Sequence, residues 1–238
     1  MVFYSNNFTF NNVYSDGTNI HLVTEDEEIL NNYGLPFNIN EENTEITLSF
    51  CYSKDDKPLE WTYEDIVGFL SWMITDDYCE FISDDNEDII YFLKGVSYTK
   101  RFTNSMMGII DVTFKSLSPY GYRHSIRQTR KNNTRFKVQN YSNVDNNYKP
   151  IITLSNINSD TITLTNTTTG KDSFTINNLT NSDVIYIDNL MGTITDANGN
   201  NKIMDSNRSW IELCKGVNNI VITGECSVKV ESYFPMMV

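Results

Sequence analysis

A mainly β protein is predicted: an α+β domain with one helix, followed by an all-β sandwich. Three observations carry this. Short runs of alternating apolar and polar residues recur along the chain, with turn signals every ~8–12 positions in its second half. A single stretch changes to the helical period. Asparagine accounts for 31 of the 238 residues, and it favours turns, strand edges and polar loops over long helices. The hydrophobic fraction is only 39%, but 14 Tyr and 13 Phe bring enough core material to exclude a disordered chain.

The elements follow in order. Phe8-Thr9-Phe10 and Ile20-His21-Leu22-Val23 flank a polar turn in which Asp16-Gly17 is a hairpin signal. Glu45 to Tyr52 alternates as a strand, with Ile46, Leu48 and Phe50 on one face. Then Ile66, Phe69, Leu70 and Met73 fall at i, i+3, i+4 and i+7, which predicts a helix over about 62–75. Thr62 can cap it, and Glu64 and Asp65 suit the positive end of its dipole. Being amphipathic, it should pack on a sheet.

Strands resume at Ile89–Leu93, Val96–Tyr98 and Ile109–Leu117, the last with Ile110, Val112 and Phe114 inward. Pro119 ends that pairing. The polar residues 128–149 read as a linker, which sets the expected domains at 1–135 and 136–238. Beyond it, Ile162 and Leu164 face Phe174 and Ile176 across a turn at 169–172. Val184–Asp188, Thr193–Thr195 and Lys202–Met204 read as further strands, with a turn at Asn198-Gly199. In an expected final pair, Ile220, Ile222, Cys226, Val228 and Val230 share inward parity, while Glu225, Lys229 and Glu231 face out.

The net charge of −13 is unevenly placed. Residues 1–93 hold 20 acids and 2 bases, including Glu25–Glu28, Glu41-Glu42, Asp76-Asp77 and Asp84-Asp85-Asn86-Glu87-Asp88. Residues 94–135 hold 9 bases and one acid, Asp111. The two sections could be solvated loops that partly neutralise each other, or opposite faces suited to head-to-tail association with further copies. The acidic balance argues against general nucleic-acid binding, so the basic stretch 123–137 reads as interface or linker before nucleic-acid contact. No apolar run approaches the ~18 residues of a membrane span, and the first ten residues lack the pattern of a secretion signal. A soluble protein with no membrane association is expected.

Chemistry is sparse. Cys51, Cys79, Cys214 and Cys226 have no metal-like spacing and read as free thiols, and two histidines, His21 and His124, limit imidazole chemistry. Asp196-Ala197-Asn198-Gly199-Asn200 begins like a calcium loop. Asn201 then stands where glycine is required and Asn207 where a bidentate Glu belongs, which leaves a hairpin turn. No carboxylate pair is singled out for glycoside hydrolysis. No catalytic residue, cofactor or metal site is expected.

The order of these signals resembles the distal tail proteins of long-tailed, siphovirus-type bacteriophages. Phe8-Thr9-Phe10-Asn11-Asn12-Val13-Tyr14-Ser15 is similar to the family's opening Asn-Gly-hydrophobic-x-Ser pattern, with Asn12 where Gly is usual. The helix ending Leu70-Ser71-Trp72-Met73, the acidic turn and Ile89–Phe92 follow the family's order. Phe114-x₄-Pro119-Tyr120-x-Tyr122 is the most specific segment, and Leu213-x₂-Gly216-x-Asn218-x-Ile220 resembles a closing strand. The resemblance implies an N-terminal ring-forming β domain and a C-terminal galectin-like, carbohydrate-module-like sandwich. It further implies a hexameric baseplate hub in the virion tail, made in the host cytoplasm, that joins the tail tube protein to a tail-associated lysin, tail fibre or receptor-binding proteins. DNA would pass through its channel without specific binding, past a lumen lined with part of the acidity of residues 1–93. The alternative is a carbohydrate-binding module protein that recognises host cell-wall glycans.

Overall fold

The computed structural model describes residues 7–23, 44–55, 57–130, 134–144, 147–171, 173–181 and 183–237. The acidic runs 25–28 and 41–42 lie outside these. The chain forms two compact units, Met1–Tyr122 with Met237–Val238, and Arg123–Met236. The division falls earlier than the 135 expected. Basic residues mask the alternation of Gly121–Gln128, yet it is a strand of the second unit's five-stranded sheet. Arg135–Asn140, read as linker, is also a strand, with Phe136 and Val138 turned into the core.

The first unit contains β1 (Phe8–Phe10), β2 (Val13–Tyr14), β3 (Ile20–Leu22), β4 (Thr44–Lys54), β5 (Lys57–Pro58), helix α1 (Tyr63–Met73), β6 (Cys79–Ser83), β7 (Tyr91–Phe102) and β8 (Gly108–Ser116). They make an antiparallel sheet in the order β2-β1-β6-β7-β8-β4-β3, with β5 paired to β4. The expected hairpin across Asp16-Gly17 does not form, since β1 pairs with β2 and β6 whereas β3 pairs with β4. The tight turn is at Asn11 and Asn12, with φ of 49° and 61°. Both sit in the left-handed region that asparagine tolerates better than most residues, so Asn12 does the work of the usual glycine. Ser15 folds back on β1: its N–H donates to Phe8 O at 2.9 Å, and its Oγ accepts from Phe8 N at 3.0 Å.

Helix α1 forms where the period predicted it. Asp65 N donates to Thr62 Oγ1 at 3.2 Å, and Thr62 N donates to Asp65 Oδ2 at 3.1 Å, a reciprocal capping box. Ile66, Phe69 and Met73 are buried and Leu70 is half-buried. Phe69 meets Phe50 at 5.2 Å and Trp61 at 5.4 Å between ring centroids. Phe8 packs against Phe50, Trp72 and Phe81 at 5.4, 5.4 and 5.6 Å. Full burial of one such ring stabilises the fold by roughly 1.5–3 kcal/mol. The indoles keep their hydrogen bonds, Trp61 Nε1 to Gly108 O and Trp72 Nε1 to Phe10 O. Past the helix, Ile74 bridges Gly95, where a Cβ would lie 2.0 Å from Met73 O. Only glycine allows that approach.

The segment Phe114-x₄-Pro119-Tyr120-x-Tyr122 closes this unit. Phe114 is fully buried, Tyr122 donates its hydroxyl to Ser118 Oγ at 2.8 Å, and its ring meets Phe92 edge-on at 5.6 Å. A Cβ on Gly121 would lie 2.4 Å from Ile89 Cγ2.

The second unit is a sandwich. Strands β10 (Arg135–Asn140), β12 (Ile162–Asn166), β13 (Phe174–Ile176) and β16 (Gly216–Thr223) form one sheet in the order β10-β16-β12-β13. The other runs β15-β14-β11-β17-β9, from β9 (Gly121–Gln128), β11 (Ile151–Ser155), β14 (Ile185–Asp188), β15 (Thr193–Asp196) and β17 (Ser227–Met236). Ile220, Ile222, Cys226, Val228 and Val230 are all buried, as their parity predicted. They are not a hairpin, because β16 and β17 belong to opposite sheets. The crossing is made at Gly224, at φ 96°, where a Cβ would meet Thr161 O at 2.6 Å. Lys202–Met204 is no strand either: Ile203–Asp205 is a 3₁₀ turn.

Buried asparagines tie this sandwich together. Asn218 Oδ1 accepts from Cys214 N and Asn166 Nδ2, each at 2.9 Å, and its Nδ2 donates to Cys214 O at 2.7 Å. Asn140 Nδ2 donates to Leu213 O, Asn166 Nδ2 to Glu212 O, and Asn189 Oδ1 accepts from Ile211 N. Each backbone group of the irregular 211–214 segment named here thus finds a side-chain partner. The Leu-x₂-Gly-x-Asn-x-Ile pattern is legible for that reason.

Candidate assembly surface

Among the described residues, the strand β7 begins between two neighbours and ends with one. Its residues Tyr91–Leu93 pair with β6, whereas Ser97–Phe102 pair with β8 on one side. Val96 through Arg101 are six consecutive exposed residues. On the core parity, Tyr98 sits opposite Val112 and Lys100 opposite Ile110, yet Tyr98 is 46% exposed and Val96 36%. Lys100 Nζ lies 5.6 Å from the Tyr98 ring centre. A long, half-apolar strand edge of this kind is a template for another chain unless it is covered.

Helix α1 has a second apolar stripe beside its buried one. Tyr63, Val67, Leu70 and Ile74 recur at i, i+4, i+7 and i+11, and Tyr63, Val67 and Ile74 are 78, 45 and 37% exposed. The sequence shows this spacing. What it hides is that no described residue of the unit covers Tyr63, Val67 and Ile74. Exposed Glu60 and Glu64 stand at its start, while Lys100 and Arg101 stand on the strand edge.

The charged sections resolve into particular contacts. Arg101 forks onto Asp111, Nε to Oδ2 at 2.6 Å and Nη2 to Oδ1 at 2.7 Å, and Ser49 Oγ also donates to Oδ1 at 2.6 Å. The guanidinium hydrogen bond first, and then Ser49, hold the Asp111 carboxyl below its ordinary range against the effect of burial. In the acidic turn after β6, Asp84 Oδ2 accepts from Tyr14 OH at 2.7 Å and Asp85 Oδ2 from Ser83 Oγ at 3.0 Å. The bond to Asp84 raises the Tyr14 phenol. Two of that run's four acids therefore shape the turn as well as charge it, and Asp85, Glu87 and Asp88 are exposed.

The remaining candidates have structural surroundings. His21 Nδ1 lies 3.3 Å from Asn7 Oδ1. His124 Nε2 lies 3.0 Å from Glu231 Oε1, with its ring stacked on Tyr233 at 4.4 Å. Asp196 Oδ1 accepts from Asn198 N and Asn200 N, both at 2.9 Å, so its oxygens organise the expected hairpin turn. The Asn200 side chain foremost holds Asp196 below its usual carboxylate range. All four thiols are free, and burial pushes Cys226 up to about 11. Among the described residues no group of three or more His, Cys, Asp or Glu is placed to hold a metal ion, and no helix is long and apolar enough to cross a membrane.

A β sheet whose β7 end has one neighbour among the described residues is joined in one chain to a β sandwich, and exposed apolar residues stand on that strand end and the helix stripe as well as at Leu190, Met191 and Met204 of the sandwich. Comparison with known proteins gives a family match over the second unit and a shared fold over nearly the whole chain. Residues 120–232 match the family described as the phage tail C-terminal domain. The fold is that of the Dit protein (gp 19.1) of phage SPP1, described as a paradigm of the hub adsorption apparatus in phages that infect Gram-positive bacteria. The two align with a TM-score of 0.62 and 12% identity over 96% of this chain and 98% of that one. A chain of the phage P2 baseplate in its activated, calcium-containing conformation aligns with a TM-score of 0.49 and 9% identity, over 94% and 97%. No curated protein sequence matches the chain.

Proposed function

We propose that the protein is a structural component of a bacteriophage virion tail, a distal tail hub without catalytic activity. Six copies close into a ring that joins the tail tube to the receptor-binding apparatus and leaves a passage for DNA. The observation that carries this reading is a hub fold shared over nearly the whole of both chains, with an open strand edge in the first unit. In the ring, the β7 edge of one copy meets the helix stripe of the next. Apolar contact from Val96, Tyr98, Tyr63 and Val67 supplies the cohesion, and Lys100 opposite Glu60 and Glu64 sets the orientation. Head-to-tail contacts close when the rotation between copies divides a circle. The surplus of acid in residues 1–93 keeps a passing polyanion from adhering, an effect confined to about 8 Å from the wall at physiological salt.

The test is the particle mass of the native chain beside V96K/Y98K and V67K variants. Exposed positions tolerate these changes within about 0.5 kcal/mol, so the melting temperature should hold while the mass falls to that of the protomer. Assembly that survives all three substitutions contradicts the interface.

A further inference from the structure

The outer face of the β10-β16-β12-β13 sheet carries a cleft of about 430 Å³, lined by Arg135, Lys137, Thr167, Asn219 and Val221 beside the backbone of Phe136 and Ile220. Arg135 faces Val221 and Lys137 faces Asn219 across β10 and β16, so both cations stand on one face about 7 Å apart along the strand. Both are exposed, and neither has an acidic partner among the described residues. Lys171, Lys202 and Lys229 are engaged by Glu212, Asp205 and Glu231, and exposed Arg127 and Lys215 lie outside the cleft, so Arg135 and Lys137 are the cations that line it. In a chain of net charge −13, an unneutralised pair in a concavity is a specific feature.

The rest of the lining offers hydrogen bonds. Asn219 N and Nδ2 both bond Thr168 Oγ1, at 2.9 and 3.2 Å, which holds the amide in place with Oδ1 left to accept. Thr167 Oγ1 donates to Asn219 O at 3.1 Å and keeps its lone pairs. Beyond the cleft the same face continues in hydroxyls, with Thr165 Oγ1 and Ser173 Oγ 2.6 Å apart and Thr163 Oγ1 and Thr175 Oγ1 3.0 Å apart. We propose that this cleft binds an anionic carbohydrate, a polyhydroxylated chain whose phosphate esters meet Arg135 and Lys137 and whose hydroxyls bond Thr167 and Asn219. No exposed aromatic ring lines it, which disfavours stacked nucleic-acid bases, and it lacks the aromatic anchor pocket of a peptide groove.

Binding of the full-length protein to phosphorylated dextran oligosaccharides tests this, with plain dextran, poly-glutamate and single-stranded DNA as competitors. The expected result is a salt-sensitive affinity for the phosphorylated oligosaccharide that falls tenfold or more in R135Q/K137Q and holds in R127Q/K215Q, which removes two exposed cations outside the cleft. Thr167→Val should weaken it without altering its salt dependence. Absence of binding overturns the proposal, as does equal loss in both double variants. So does stronger binding of poly-glutamate or DNA, which would make the cleft a peptide or nucleic-acid site. Particle mass recorded on the same samples keeps this outcome separate from ring assembly.

Discussion

Asn218 shows how a single polar residue holds an irregular segment in a β sandwich. It is fully buried and bonds Cys214 at N, Sγ and O, the Gly216 carbonyl and Asn166. Asn218→Leu strands several buried partners, each costing roughly 1–3 kcal/mol, so the melting temperature should fall by several degrees, whereas exposed Asn158→Ala should hardly move it. Acid tests another set of residues. Asp111, Glu212 and Glu231 are lowered chiefly by hydrogen bonds from Arg101, Lys171 and Lys229 respectively. A depressed carboxyl contributes stability that is complete above the unfolded value near 4 and is lost as pH falls through the folded value. Denaturation midpoints should thus drop below about pH 4, and the drop should be shallower in D111N. Asparagine's abundance was legible in the sequence. Which asparagines are buried was not, because a turn asparagine and a buried one look alike until the segment they bond is known.

Elements were readable where their period was clean. The helix was, because Ile66, Phe69 and Met73 keep one face and Thr62 and Asp65 cap it. Removing the cap in T62A should cost about 1 kcal/mol. Gly95→Ala should cost more, since its Cβ would strike Met73 O at 2.0 Å and push the helix end from the sheet; chemical denaturation compares the two. Partner choice was not readable. Phe8–Phe10 and Ile20–Leu22 look like the arms of one hairpin, but long-range pairing with β6 and β4 outweighs the Asp16-Gly17 turn. β16 and β17 are likewise adjacent in sequence and opposed in space. Local turn chemistry limits register, and burial of the opposite faces decides which strands meet.

At the scale of the whole molecule, the sequence carried the mainly β plan, the order of motifs and the separation of charge. It could not show that β7 runs past its neighbour, because Val96, Ser97 and Tyr98 read as an ordinary strand whether or not a second strand covers them. In the ring proposed above, that edge is where one copy meets the next. The acidic turn separates the two roles of charge. Glu87→Gln removes one charge, while Asp84→Asn also weakens the bond to Tyr14, so a change in assembly seen only with D84N assigns that acid to turn structure. Ring closure is decided by imaging the purified full-length chain and recording its particle mass. Closed particles of about six protomers around a central opening are expected; a solitary 27.5 kDa species at every concentration, with and without tail tube protein, would rule the ring out.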